Sequence, residues 1–326
     1  IKFKTHGELQ PITFLASMSH MKCEQYRLLP GIKIENLKPI SIPFRRYSRD
    51  HDFITAEISR LLTEGIIQGS QSPWKSQCFV INQANKKRLV IDYSNTINIY
   101  THLDSYPMPR IEDLIEDIAQ NSWFSKIDLR SAYHQVKLHE DDYKLTAFEA
   151  NGKLYEFKRL PFGITNAVPI FQRIMHDFID SRGLKKTYSY MDDIMITGGT
   201  EQEHDSNLKK FNTAANEFGI TINKDKCIFK TQEIPFLGHI ISHRCIRPDP
   251  ERFTALMEFA IPTTKRQMDR LIGFFAYYAK WIPESSKQTL ILQKNRKNLI
   301  DGKPISTECI ETIRHLKDSL MNSTLA

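Results

Sequence analysis

The chain alternates between short apolar runs and longer amphipathic stretches, and this pattern predicts its elements. Ile54, Ile58, Leu61 and Leu62 recur at helical spacing and predict a helix over 50–64, with Gly65 as its stop. Turn residues Gly69-Ser70 and Ser72-Pro73 follow. A strand over Cys78–Asn82, a turn at Gln83–Lys87 and a strand over Arg88–Tyr93 make a hairpin with a basic tip. Trp123–Asp128 and Gln135–Leu138 read as buried strands. Asn166–Asp180 reads as a helix with Ile170, Ile174 and Phe178 on one face. Tyr188–Met191 and Ile194–Thr197 read as apolar strands with Asp192-Asp193 at the turn between them. A helix is expected from Glu203 to Phe218, and short strands near Lys226–Lys230 and Phe236–Ile241. Thr264-x-x-Gln267 resembles a capping box. It opens a helix with an apolar stripe of Met268, Leu271, Ile272 and Phe275, while Lys265, Arg266 and Arg270 lie off it. A last helix is expected over Glu308–Leu320. Strands and helices mix without regular βαβ alternation, so the class is α+β.

Composition narrows the field. A 40% hydrophobic content over 326 residues suffices for a sizeable core. No apolar run nears the roughly 18 residues of a membrane span, so no membrane role is expected. The chain starts without Met, which suggests a piece of a longer one. Residues 1–49, with Pro at 11, 30, 39 and 43, read as an N-terminal arm or linker. Five scattered Cys include no C-x-x-C, which fits neither a disulfide framework nor a zinc knuckle. No P-loop or G-x-G-x-x-G occurs, so an NTPase or dinucleotide enzyme is not indicated. The net charge is +7. Both ends are basic and the centre slightly acidic, which suits a polyanion-binding protein with central carboxylates. Ordinary solvated surface is the plain alternative.

Adjacent Asp192 and Asp193 on an apolar hairpin repel each other and resist desolvation. Cations relieve both problems, and hard oxygen donors without His or Cys point to magnesium or manganese. A solvated Asp-Asp turn is the alternative, which the flanking Tyr190, Met191, Ile194 and Met195 count against. Asp128, leaving the apolar strand Trp123–Ile127, is a third candidate carboxylate; a helix cap or loop ion pair is its plainer reading. Together the three suggest a two-metal site.

These residues also carry a resemblance. Phe124–Val136 resembles motif A of LTR-retrotransposon reverse transcriptases, and Leu160–Ala167 with Phe171-Gln172 resembles motif B. Tyr190-Met191-Asp192-Asp193 resembles motif C, Asn223–Cys227 motif D, and Phe236–His239 motif E, the primer grip. Further blocks (Leu62–Ile67, Arg88–Tyr93, Ile246–Pro250 and Phe274–Pro283) extend the likeness over about residues 40–320, closest in wording to gypsy-type elements. Ser94 and Ala132 depart from the commoner family wording.

The resemblance implies a right-hand polymerase fold. Fingers are expected at 50–105 and 138–159, an antiparallel palm carrying the catalytic Asp residues at 106–137 and 160–242, a helical thumb at 243–286, and the start of a connection region at 287–326. It implies that Asp128, Asp192 and Asp193, with the carbonyl of Leu129, hold two magnesium ions, or manganese. Arg88, Arg130, Ser131, Ala132, Tyr133, Phe162, Gly163 and Lys226 would bind the dNTP. Tyr133 would exclude a 2′-hydroxyl and Lys226 would protonate the leaving pyrophosphate. Met191, Phe236, Leu237, Gly238, His239, Lys265, Arg266 and Arg270 would hold primer and template. The implied partners are RNA and DNA templates, primer, RNA-DNA hybrid and dNTPs, with protease, RNase H and integrase elsewhere in a Pol polyprotein. The implied location is cytoplasmic virus-like particles, with nuclear entry open. A domesticated, inactive nucleic-acid-binding descendant is the alternative, and an RNA-dependent RNA polymerase a third reading.

Overall fold

A computed structural model describes residues 20–43, 50–83, 86–251 and 257–321. The tip of the basic hairpin and most of the expected arm lie outside them. The chain divides into two compact units. The larger is Ile1–Pro109, Lys126–Ile196 and Asp205–Cys227; the smaller is Arg110–Ser125, Thr197–His204 and Ile228–Ala326.

In the larger unit, α1 (His51–Thr63) buries Ile54, Ile58 and Leu61, while Leu62 stays exposed. β1 (Ile67–Gly69), β2 (Ser76–Gln83), β3 (Lys86–Asp92), β5 (Phe148–Ala150) and β6 (Lys153–Phe157) form a sheet in the order β1-β6-β5-β2-β3. β2 and β3 pair antiparallel, with Arg88 opposite Ile81. α3 (Ala167–Ser181) buries Ile170, Ile174 and Phe178, the expected face, against the same core. Residues 20–43 are no free arm where they are described. Met21, Leu28, Leu29 and Ile34 join that core, because apolar side chains spaced along an extended segment bury most cheaply on a neighbour.

β7 (Thr187–Tyr190), β8 (Asp193–Gly198), β4 (Trp123–Asp128) and β9 (Ile228–Thr231) make a sheet in that order. β4 matches its expected bounds. Tyr190 pairs with Asp193, so the hairpin turn is Met191-Asp192 and Asp193 belongs to the strand, not to the turn as expected. The expected strand Gln135–Leu138 is corrected as well. Ala132–Gln135 is a 3-10 turn, and only Lys137 and Leu138 make isolated bridges. Val136 and Leu138 are buried, so the apolar run reports burial, not a ladder.

In the smaller unit, α2 (Ile111–Ala119) packs on the sheet of β10 (Glu233–Phe236), β11 (His239–Ser242) and β12 (Cys245–Pro248). The expected strand Phe236–Ile241 is split by the Leu237-Gly238 turn, where both φ angles are positive. α4 (Glu201–Phe218) starts in this unit and continues into the larger one. α5 (Lys265–Tyr277) begins at the expected capping box, with both Thr264 and Gln267 bonds formed. It buries Met268, Leu271 and Phe275 in a separate core with α6 (Ser285–Ile300) and α7 (Thr307–Met321).

Candidate active site

The site lies in the larger unit and is built on two chain reversals. β4 delivers Asp128 as its last residue. The β7-β8 turn delivers Asp192 and Asp193. That turn is strained: Met191 sits at φ 54°, a conformation that side chains usually avoid. Gln172, fully buried on α3, holds it. Its Oε1 accepts from the Met191 N–H at 2.8 Å, and its Nε2 donates to the Ser189 carbonyl at 2.9 Å. His176 Nε2 lies 2.7 Å from the same amide, and His176 Nδ1 lies 2.7 Å from the Tyr106 hydroxyl.

The chain after Asp128 is held by a second buried glutamine. Gln135 Nε2 donates to the carbonyls of Arg130 (2.8 Å) and Thr221 (2.9 Å), and its Oε1 accepts from the Thr221 N–H (2.8 Å). The Asp128 carbonyl accepts from the Asn223 N–H at 2.9 Å. Cys227 Sγ accepts from the Asp128 N–H at 3.4 Å. These bonds fix Arg130, the left-handed Ser131 (φ 46°), buried Ala132 and Tyr133 as one rigid turn. Leu129 bridges Ile222, which sets its backbone beside Asp128.

The charges of Asp128 and Asp192 act on Asp193 here. Burial raises the Asp193 carboxyl above its ordinary range, Lys126 opposes that, and the Asp192 and Asp128 charges raise it further. Lys126 Nζ is 3.0 Å from Asp193 Oδ1, and Lys226 Nζ is 3.8 Å from Asp128 Oδ2. Asp192 itself is exposed. The chemistry fits a hard divalent cation: the donors are carboxylate oxygens whose mutual repulsion a cation relieves. Among the described residues, no three His, Cys, Asp or Glu side chains converge as a ready cage. Magnesium suits such an open set, because it keeps water and takes substrate phosphates into its shell.

Tyr133 closes one side. Its ring meets Phe162 edge-on at 4.9 Å and Phe171 at 5.3 Å. Burial, with the Asp192 charge, pushes its hydroxyl up to about 12. Phe162 is 52% exposed, unusual for Phe in a packed aromatic group, and it offers a face to a ligand. Gly163 follows at φ +90°, where a Cβ would stand 3.1 Å from the Ile91 carbonyl. Asn98 holds this loop, donating to the Gly163 carbonyl at 2.9 Å and accepting from the Thr165 N–H at 3.0 Å. Of the other expected dNTP residues, Arg88 is exposed on β3. Arg130 rests 3.4 Å from Glu64.

The remaining expected residues belong to the smaller unit. Phe236 and His239 are buried, and the His239 ring packs on Trp281 at 5.1 Å. Leu237 and Gly238 form the turn between them. Lys265, Arg266 and Arg270 are exposed on α5. Tyr277, 65% exposed, shares a face with Arg266, Arg270 and Gly273 and was not singled out by sequence. Sequence reading also assigned no role to Gln135, Gln172, Lys126 or Asn98. For the two glutamines the legible signal was a long amide among residues that otherwise pattern as buried.

His134, beside Phe162, yields a pH prediction. Burial, and then the Arg60 charge, lowers its imidazole to about 4. The unfolded chain keeps the ordinary value near 6.5 and so binds the extra proton first. The stability this contributes is full above about pH 6.5 and is lost as pH falls toward 4, up to about 3 kcal/mol in all. Urea unfolding of a His134→Phe variant should show a flatter pH slope in that window. An unaltered slope would exclude the assignment.

Comparison with known proteins agrees with this geometry. Residues 75–241, which contain all three carboxylates, match the family described as reverse transcriptase (RNA-dependent DNA polymerase). The Pol polyprotein of transposon 297 from Drosophila melanogaster is 32% identical over 271 residues, which is 80% of this chain and 25% of that protein. The gypsy Pol polyprotein of the same organism is 33% identical over 240 residues, covering 72% and 23%. The chain thus spans about a quarter of the length of these curated relatives. A foamy viral protease-reverse transcriptase in complex with double-stranded DNA has the same fold. Its TM-score is 0.84 at 20% identity, over 94% of this chain and 54% of that one. Its complex with RNA/DNA hybrid gives 0.80 at 20% identity, over 94% and 41%. The expected right-hand polymerase architecture and the gypsy-type resemblance are borne out, and the chain belongs to the reverse transcriptase (RNA-dependent DNA polymerase) family.

Proposed function

We propose that this chain copies RNA and DNA templates into DNA, adding dNTPs to a primer 3′-hydroxyl. The observation that carries the reading is that the Asp128 and Asp192 charges both act on Asp193, whose carboxyl burial raises first and Lys126 holds down. Asp128, Asp192 and the Leu129 carbonyl would hold two magnesium or manganese ions, with Asp193 assisting. When bound, such ions activate the attacking hydroxyl and stabilise the charge of the leaving pyrophosphate.

The chain's own residues do the rest. Gln172 and Gln135 keep the carboxylates and the Arg130–Tyr133 turn in register. Lys126 balances Asp193. Lys226, near Asp128, donates a proton to pyrophosphate. Arg88 and a released Arg130 grip the triphosphate by their forked geometry. Phe162 and Gly163 face the base pair. Met191, the Phe236–His239 hairpin, Lys265, Arg266 and Arg270 hold primer and template without reading sequence. In this reading the fingers, palm, thumb and connection take the boundaries given above. Protease, RNase H and integrase belong to the same polyprotein, and copying takes place in cytoplasmic virus-like particles.

Tyr133 would lie under the sugar, its ring braced by Phe162 and Phe171. Primer extension on RNA and on DNA templates, with dNTPs or rNTPs and magnesium, tests this. The parent should extend with dNTPs on both templates. Tyr133→Ala should lower dNTP-over-rNTP discrimination by at least about tenfold, on the order of 1.4 kcal/mol. Unchanged discrimination would remove the gate from Tyr133, and no dNTP extension by the parent would favour the inactive, domesticated alternative.

A further inference from the structure

Arg159 stands apart from the catalytic chemistry. It is half-buried, and burial lowers its guanidinium. Its Nη1 is buried with no hydrogen-bond partner among the described residues. A guanidinium in that state is costly unless an anion joins it. No described carboxylate lies within ion-pair distance. Glu156 instead accepts from Gln68 and Ser70, and Asp141 and Asp142 pair with Arg27.

More cations gather around it. Lys137 faces Arg159 across an antiparallel bridge, so both side chains leave one face. Residues 21–26 run along the other side of that segment. Met21 N–H donates to the Gln135 carbonyl at 3.0 Å, and Tyr26 N–H to the Lys137 carbonyl at 2.9 Å. This alignment brings up His20 and Lys22, both exposed. After burial, the charges of Lys137, Arg159 and Lys22 all act to lower His20. Neither Lys22 nor Lys137 has an ion-pair partner among the described residues.

We propose that Lys137, Arg159, Lys22 and His20 form a phosphate site that takes a backbone phosphodiester of a bound polynucleotide. Phosphate fits because its oxygens accept several donors at once and match the guanidinium fork. A polynucleotide is favoured over a free anion because exposed His20 and Lys22 continue from the half-buried Lys137 and Arg159, and a row of cations suits a run of charges. The site would add a second grip on nucleic acid, and it rests on the polymerase reading for its choice of partner.

The test uses the whole chain without divalent ions. Anisotropy of labelled single-stranded RNA and of a primer-template duplex gives affinity across salt. The Lys22→Gln/Lys137→Gln variant should bind severalfold more weakly. Its log K against log salt slope should be shallower by about 0.7 per lost contact on single strands and about 0.9 on duplex. Arg159→Gln should act alike and Arg159→Lys less. Melting curves of the surface double variant verify folding should Arg159→Gln fail to fold. Unchanged affinity and slope in a folded double variant would overturn the site. So would inorganic phosphate that raises the melting temperature of the parent, but not of Lys137→Gln, while polynucleotide slopes stay equal. Extension at saturating primer-template should persist in the double variant. Loss of the salt effect therefore removes this site alone, whereas a failure of the parent to extend with dNTPs removes the polymerase reading alone.

Discussion

Asp192→Asn should lower primer extension on the order of a thousandfold, about 4 kcal/mol of transition-state stabilisation, without lowering stability. The substitution keeps the size of the side chain and its tolerance of tight turns. It removes one charge. Asp192 is exposed, and the strained Met191 beside it is held by Gln172, not by the carboxylate. The fold therefore loses no hydrogen bond or ion pair that the aspartate makes among the described residues. It also sheds repulsion, because Asp192 is one of the two negative charges that push Asp193 up. The expected signature is a melting temperature equal to or above that of the parent with extension nearly abolished, and with polynucleotide affinity retained in the absence of metal. Single-nucleotide extension and thermal unfolding measure both. Extension within tenfold of the parent would show that Asp192 does not carry the chemistry.

The carboxylates were legible because their signal is local: charge between apolar strands. Helix α3 and the Thr264 capping box were legible for the same reason, each fixed by spacing within one turn or two. What sequence did not reveal depends on partners far along the chain. Gln135 reaches Thr221, and Gln172 reaches Ser189 and Met191. Residue type announces an amide, but only the fold says which backbone it satisfies. Helix α6 was missed because it buries only Leu292 and Asn295 outright, which leaves no apolar stripe to detect. Helix α2 is different, since Leu114, Ile115 and Ile118 lie at helical spacing and were there to be read. The misread Gln135–Leu138 shows the converse limit. An apolar run marks burial, and the 3-10 turn within it is set by Gln135 bonding across to residue 221.

Gly198→Ala should be among the most destabilising single substitutions available, costing about 3 kcal/mol or more. β8 carries Asp193 at its first residue and Gly198 at its last, and α4 starts three residues later. A Cβ at 198 would lie 2.4 Å from the His204 nitrogen, 2.6 Å from its Cα and 2.7 Å from its Cβ. Two of those three atoms are backbone, so no rotamer change relieves the clash. His204 cannot retreat easily. It is fully buried, its N–H donates to the Thr200 carbonyl at 3.0 Å, and its Nε2 lies 2.9 Å from Ser125 Oγ. Ser125 Oγ also accepts from the Lys230 N–H at 3.0 Å, which ties β4 and β9 to the same point. On the other side, the Gly198 carbonyl accepts from the Ser122 N–H at 3.0 Å. Moving either partner breaks bonds made by buried groups. Gly273 is the control. It lies inside α5 with no positive φ, and a methyl group added there would meet nothing within 4 Å. Gly273→Ala should therefore stabilise by up to about 1 kcal/mol through helix propensity alone. Urea unfolding midpoints of the two variants should move in opposite directions from the parent. A Gly198→Ala midpoint equal to the parent's would mean that the strand end and α4 separate freely, contrary to the packing seen around His204.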